Sequence, residues 1–132
     1  MVTLIDTSVW VDFFRAATPA RVREAARLSI VSPDAATCEP VIFELIRGCP
    51  SKQRPMVQAH LATTPTLSTP ASMWADASRL GQLCHDKGFQ AGSLDLLIAT
   101  LCIHHGAEIV TFDADFGAIA KISPLNVRLL GR

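Results

Sequence analysis

The stretch Val2–Trp10, VTLIDTSVW, decides how the rest of the chain is read. Residues 2–6 form a short, β-prone apolar run that closes on a carboxylate, Asp6. A run of this length, apolar on both alternating faces, reads as a strand buried inside a sheet. Thr7 or Ser8 can then cap a helix through SVWVDFFRA. The same sentence is written again near the other end. AEIVTF (107–112) reads as a strand, Asp113 follows it, and Asp113 can cap a short helix ADFGAIAKI. Pro124 breaks that helix, and VRLL (127–130) reads as a last strand.

Between these two units the chain alternates in the same manner. Pro19 opens a helix ARVREAARLS. IVSPDAATC holds breakers and one short strand. Glu39-Pro40 starts the helix EPVIFELIRG, which Gly48 stops. Pro50 to Leu61 reads as another helix, and TPTLST as a short Pro-bounded strand. Pro70 leads a long amphipathic helix, ASMWADASRLGQLCHDKG, ended by Gly88. Ser93 can cap LDLLIATLCIHH, which Gly106 ends. Strands alternating with helices predict an α/β sandwich, helices on both faces of a mainly parallel sheet.

With 132 residues, the chain has the length of one domain, 1–132, able to bury a real core. Twelve basic and twelve acidic residues cancel, so composition does not declare a strongly basic nucleic-acid binder. The hydrophobic share of 49% and the mean hydropathy of +0.31 are high for a soluble domain, which predicts surface covered by a partner or a second copy. No apolar run approaches the roughly 20 residues needed to span a bilayer, and MVTLIDTSVW reads as a core strand, not a signal peptide. Cys38, Cys49, Cys84 and Cys102 match no zinc or C-x-x-C spacing. Cys84 and Cys102 fall in apolar helical stretches as small core residues. That usage predicts a reducing cytoplasm.

Four acids remain to be explained: Asp6, Glu44 in VIFELIRG, Asp95 in GSLDLLIAT and Asp113 in VTFDADF, with Asp115 a fifth. Each is set among apolar residues, where a carboxylate is costly unless its charge is compensated. Ligands of open parallel sheets bind at the carboxyl ends of strands, where Asp6 and Asp113 fall. Taken singly, each Asp also fits a turn or a helix cap. Asp95 sits in the first turn of a helix that is apolar nearly all round. The dipole offers it roughly 0.3–1 kcal/mol, less than desolvation costs. Glu44 flanks the stripe Val41, Ile42, Leu45, Ile46. Glu39 and Glu108 read as exposed, and Asp12 as solvated. A hard divalent cation, Mg²⁺ or Mn²⁺, compensates such an all-oxygen set and points to metal-assisted phosphodiester chemistry. Gathered around one crevice, the acids repel, so their pKa values rise without metal.

Other candidates read more plainly. His104-His105 suits a helix C-terminus, and His85 an exposed face. Arg15, Arg47, Lys52 and Arg54 lie near the acidic segments, as solvated bases or phosphate contacts. Trp10, Phe13 and Phe14 recur at helical spacing as core or interface.

In order and spacing, LIDTSVW, FELIRG, SLDLLIAT and HHGAEIVTFDADF resemble the four motifs of PIN-domain ribonucleases, and among these of VapC-type toxins. The resemblance spans essentially the whole chain. It implies a PIN-like α/β/α fold and a catalytic quartet of Asp6, Glu44, Asp95 and Asp113. It implies metal ligation by Asp6, Asp95, Asp113 and the additional acid Asp115, and a hydroxyl near the site at Thr111. Ser8 departs from a position where Asn is frequent, and Phe112 from one where a small polar residue is frequent. The activity implied is metal-dependent cleavage of structured RNA to 5′-phosphate and 3′-hydroxyl ends, with no membrane role. The partners implied are a second copy, as a homodimer, and a small antitoxin that often places an Arg in the acidic site. Two alternatives share the acids. A receiver-like Mg²⁺-binding module needs an acidic pair beside the first strand and a late Lys after a strand; Asp6 has no acidic neighbour and Lys121 follows no strand. A non-catalytic PIN-like scaffold would not need all the acids that this chain keeps.

Overall fold

The computed structural model describes residues 1–132. Five strands form one sheet: β1 (Thr3–Ile5), β2 (Ala35–Cys38), β3 (Thr66–Leu67), β4 (Glu108–Thr111) and β5 (Asn126–Leu129). Seven helices connect them: α1 (Thr7–Phe14), α2 (Ala20–Ile30), α3 (Glu39–Gly48), α4 (Arg54–Ala62), α5 (Met73–Asp86), α6 (Ser93–His105) and α7 (Asp115–Ala120). The strand order is β3-β2-β1-β4-β5, and all four pairings are parallel. The sheet is therefore wholly, not merely mainly, parallel. Each strand needs a helical crossover to reach its parallel neighbour, which is why the sequence alternates.

The order carries the placement of the site. From β1 the chain steps outward to β2 and β3, then returns to add β4 and β5 on the other flank. The direction reverses between β1 and β4, and the crevice at their carboxyl ends is where open α/β sheets bind ligands. Ile5 pairs with Val110 there, and the Asp6 amide donates to the Val110 carbonyl at 3.0 Å. Leu4, Ile5, Ile109 and Val110 are wholly buried, as expected of central strands covered on both faces. Ile98, Ala99, Leu101 and Cys102 of α6 cover one side of them within a single cluster of 26 buried residues. No helix is long and apolar enough to cross a membrane.

Local differences from the sequence reading concern caps. Asp6, not Thr7 or Ser8, is the N-cap of α1 and accepts from the Ser8 amide. Thr7 instead reaches Glu44, and the Ser8 hydroxyl serves Asp6 from inside the first turn. Gly92 caps α6, and Ser93 is its first residue. Ala114 precedes α7; Asp113 sits one residue earlier, its Oδ1 accepting from the Asp115 amide at 2.9 Å. Pro50 to Gln53 form a turn before α4, with Gln53 donating to the Pro50 carbonyl. Gly106 ends α6 at φ 64°, a left-handed turn that costs a side-chain-bearing residue energy.

Candidate active site

Four elements carry carboxylates into one cleft of about 270 Å³ at the β1/β4 switch point. β1 ends at Asp6, and the turn after β4 supplies Asp113. α3 presents Glu44, and the first turn of α6 presents Asp95. All four line the cleft, together with Thr7, Ser8, Asp12, Arg15 and Arg132. Asp115, at the start of α7, does not line it. Its carboxylate nevertheless belongs to a triad with Asp95 and Asp113, whose ligand oxygens all lie within 4.8 Å of one another. Asp6 lines the same cleft but stands outside that triad.

Asp6 is held, not merely placed. It is 4% exposed, and one oxygen, Oδ2, accepts from the Thr111 hydroxyl at 2.7 Å and the Ser8 hydroxyl at 2.7 Å. The net extends outward. The Ser8 hydroxyl accepts from the Phe112 amide at 3.1 Å, and the Thr111 hydroxyl from the Asp113 amide at 2.9 Å. The strand end, the helix start and the β4 turn are thus tied through two hydroxyls. Glu44 has its own donor, Thr7 Oγ1, at 2.7 Å. Ser8 and Thr7 point to different acids because they are consecutive on one helix.

A comparison with known protein families matches residues 3–122 to the PIN domain. Ribonuclease VapC11 of Mycobacterium tuberculosis is 36% identical over 127 residues, 93% of this chain and 95% of that protein. The chain belongs to the PIN-domain family, among the VapC ribonucleases. Solved structures agree on the fold. The VapBC2 complex of Rickettsia felis bound to a promoter DNA fragment contains a chain of TM-score 0.75 at 21% identity, covering 99% of this chain and 100% of that one. VapC20 of Mycobacterium tuberculosis, described as a sarcin-ricin loop cleaving toxin, gives a TM-score of 0.69 at 22% identity, covering 94% and 98%.

The electrostatics of this PIN domain follow from crowding. Burial pushes the Asp95 carboxyl up to about 6, and Asp6, Asp113, Glu44 and Asp115 push in the same direction. Asp6 is also raised, by burial, although the Thr111 and Ser8 hydroxyls favour its charged form. Proximity of like charges in a partly dry cleft disfavours ionising all of them. The donor set is all oxygen and acidic, which fits a hard divalent cation and not a soft one. Cys38 and Cys102, both wholly buried near this cleft, are pushed the other way from reactivity: burial raises Cys38 to about 12 and raises Cys102 too.

Three features escaped the sequence reading. Asp12 is 3% exposed rather than solvated; it pairs with Arg132 at 3.0 Å. Its spacing from Val9, three residues along α1, was the available signal, since Val9 faces the core. Glu108 is half-buried, paired with Arg128 at 3.2 Å. The role of Ser8 in gripping Asp6 left no periodic trace at all.

Proposed function

We propose that this chain is a metal-dependent endoribonuclease and the toxin of a toxin–antitoxin pair, folded as one unit over residues 1–132. The observation that carries the reading is the convergence of Asp6, Glu44, Asp95 and Asp113 on one cleft, in a chain 36% identical to a named ribonuclease. Asp95, Asp113 and Asp115, with Asp6 beside them, would hold Mg²⁺ or Mn²⁺. What such an ion supplies is activation of water near neutral pH and neutralisation of charge on a scissile phosphodiester.

The chain's own groups supply the rest. Thr111 and Ser8 fix one oxygen of Asp6, so the carboxylate keeps its direction when the cleft is loaded. Thr7 occupies Oε1 of Glu44 and leaves the second oxygen to orient a water, as a general base does. Asp113 receives its orientation from the turn, through its own amide and that of Asp115. Without a cation the crowded carboxylates repel an RNA phosphate, so cleavage demands metal.

Partners follow from the surface beside the cleft. A groove of about 440 Å³ between α1, α3 and α4 adjoins it, sharing Val11, Arg15 and Glu44 and lined further by Phe14, Leu45 and Val57. This apolar channel ending at an acid suits a small antitoxin that lays an apolar segment along it and places a cation at Glu44. The exposed Phe43, Met56 and Trp74 suit further coverage by a second copy. Four free thiols suit a reducing cytoplasm.

The deciding experiment is cleavage of a structured RNA by the purified protein with Mg²⁺, with Mn²⁺ and with EDTA, beside Asp6→Asn. Cleavage confined to the metal-loaded wild type is expected. Equal cleavage by the variant would overturn the site. Light scattering after co-expression with the adjacent reading frame tests the partners; a strictly monomeric protein that co-purifies with nothing would remove the toxin reading.

A further inference from the structure

A second groove, of about 280 Å³, opens at the corner between α1 and α2. It shares Asp12, Arg15 and Arg132 with the acidic cleft, so the two are continuous. Its charge is of the opposite sign: Arg15, Arg21 and Arg132 line it against one carboxylate, Asp12. Asp12 is already paired with Arg132, whose side chain is 54% exposed and whose guanidinium also lies 4.8 Å from the centre of the Phe112 ring. Arg15 and Arg21 have no acidic partner, since none of the ion pairs in the molecule includes either of them.

Two further features point to an anion. The groove meets the N-terminus of α2, an 11-residue helix with no acidic residue in its first turn and no side-chain cap on Pro19. The first amides of a helix lack internal partners, and together with the dipole they favour a phosphate. Thr18, 8% exposed and lining the groove, keeps a buried hydroxyl with no hydrogen-bond partner. A buried hydroxyl left unsatisfied is costly, and rotation of Thr18 about χ1 toward the groove would offer it to an anion seated at the helix end. The corner is rigid enough to preorganise these donors, because the Arg23 guanidinium donates to the Arg15 and Ala16 carbonyls at 2.7 and 2.8 Å.

We propose that this groove is a phosphate-binding subsite, formed by Arg15, Thr18, Arg21 and the N-terminus of α2, that takes a backbone phosphate of RNA flanking the bond to be cut. The proposal rests on the ribonuclease reading, because only a polyanion entering the neighbouring cleft would present a phosphate here. It explains how a cleft of repelling carboxylates can capture RNA in a chain with no net charge: the attraction sits one step away from the chemistry.

The test measures binding apart from cleavage. Anisotropy of a fluorescein-labelled 12-nucleotide single-stranded RNA is followed with Ca²⁺ present, against salt, for wild type, Arg21→Ala, Arg15→Ala and Thr18→Val. Arg21 and Arg15 are exposed, so both variants should fold. Each arginine variant should bind several-fold more weakly, and its slope of log affinity against log salt should fall by about 0.7, the value for one lost contact to single-stranded nucleic acid. Cleavage of a dinucleotide too short to reach the groove should be unchanged in Arg21→Ala, whereas cleavage of the 12-mer should show a raised KM at constant kcat. Unchanged affinity and salt slope in both arginine variants would overturn the subsite even if the wild type cleaves RNA. Loss of binding to a poly-glutamate peptide with RNA affinity intact would assign the groove to an acidic protein partner, and would overturn it equally. A wild type that binds RNA with the expected slope but never cuts would count against the nuclease reading alone.

Discussion

Thr111 donates a 2.7 Å hydrogen bond to Asp6 across 105 residues of sequence, and both are buried. The bond joins the ends of β1 and β4, the two strands between which the chain's progression across the parallel sheet changes side. The acidic cleft is built outward from that contact, since the same hydroxyl accepts from the Asp113 amide.

Thr111→Val keeps the shape and removes the hydroxyl. Asp6 loses one of two side-chain donors, and the Asp113 amide loses its acceptor. Metal-dependent RNA cleavage should fall about 10–100-fold, as when a partner of a metal-ligating group is removed. Stability should fall by about 1–3 kcal/mol, the cost of stranding buried polar groups. Steady-state kinetics and urea melts check both; full activity would mean that Thr111 orients nothing that matters.

Asp95→Asn should abolish cleavage while raising the melting temperature of the metal-free protein. The amide removes one charge from a group of mutually repelling acids and is a poor ligand for Mg²⁺. Thermal melts in EDTA decide it: a variant less stable than wild type at pH 7.5 would contradict the repulsion.

The same repulsion sets a pH dependence. Asp95 holds its proton more tightly in the folded chain, up to about 6, than the usual carboxylate value of 3.8. Between those values the folded state binds more protons than the unfolded state, so this group disfavours folding at neutral pH and ceases to do so as pH falls. Relative to Asp95→Asn, the metal-free wild type should therefore gain stability from pH 7 to pH 5. Stabilisation by Mg²⁺ should weaken over the same interval, because protons and cation compete for the same oxygens. A wild-type-to-variant difference that is constant from pH 7 to 5 would exclude this account.

Trp10 is wholly buried, stacked on Phe14 at 6.1 Å between ring centroids, with His60 edge-on at 6.4 Å. Trp10→Ala should cost about 3–5 kcal/mol, as large-to-small changes of aromatic core residues do. Urea denaturation reads this directly, and a loss below 1 kcal/mol would show that the α1 face collapses to fill the space.

Gly106 turns the chain from α6 into β4 at φ 64° with open space where a Cβ would stand. Gly106→Ala should therefore cost only the left-handed backbone penalty of about 1–2 kcal/mol, without steric damage to the site. Activity at 25 °C should be unchanged while the melting temperature drops.

The sequence by itself determined the element order and which acids to watch. Periodicity changes from a buried strand at VTLID to a helix at SVWVDFF, and again at AEIVTF, are local signals written in consecutive residues. So are Asp6 and Asp113 at strand ends and Asp95 in the first turn of an apolar helix. What only the tertiary structure decided is everything that depends on which strand lies beside which. The order β3-β2-β1-β4-β5 brings Thr111 to Asp6, Thr7 to Glu44, and Asp115 to Asp95. Asp12 changed from a solvated residue to a buried partner of Arg132 for the same reason, since α1 is covered by elements far away in sequence. Helix and strand periods report which side of an element is buried; they carry no information about the neighbour that buries it, because that choice is made by long-range packing of the sheet and its helices.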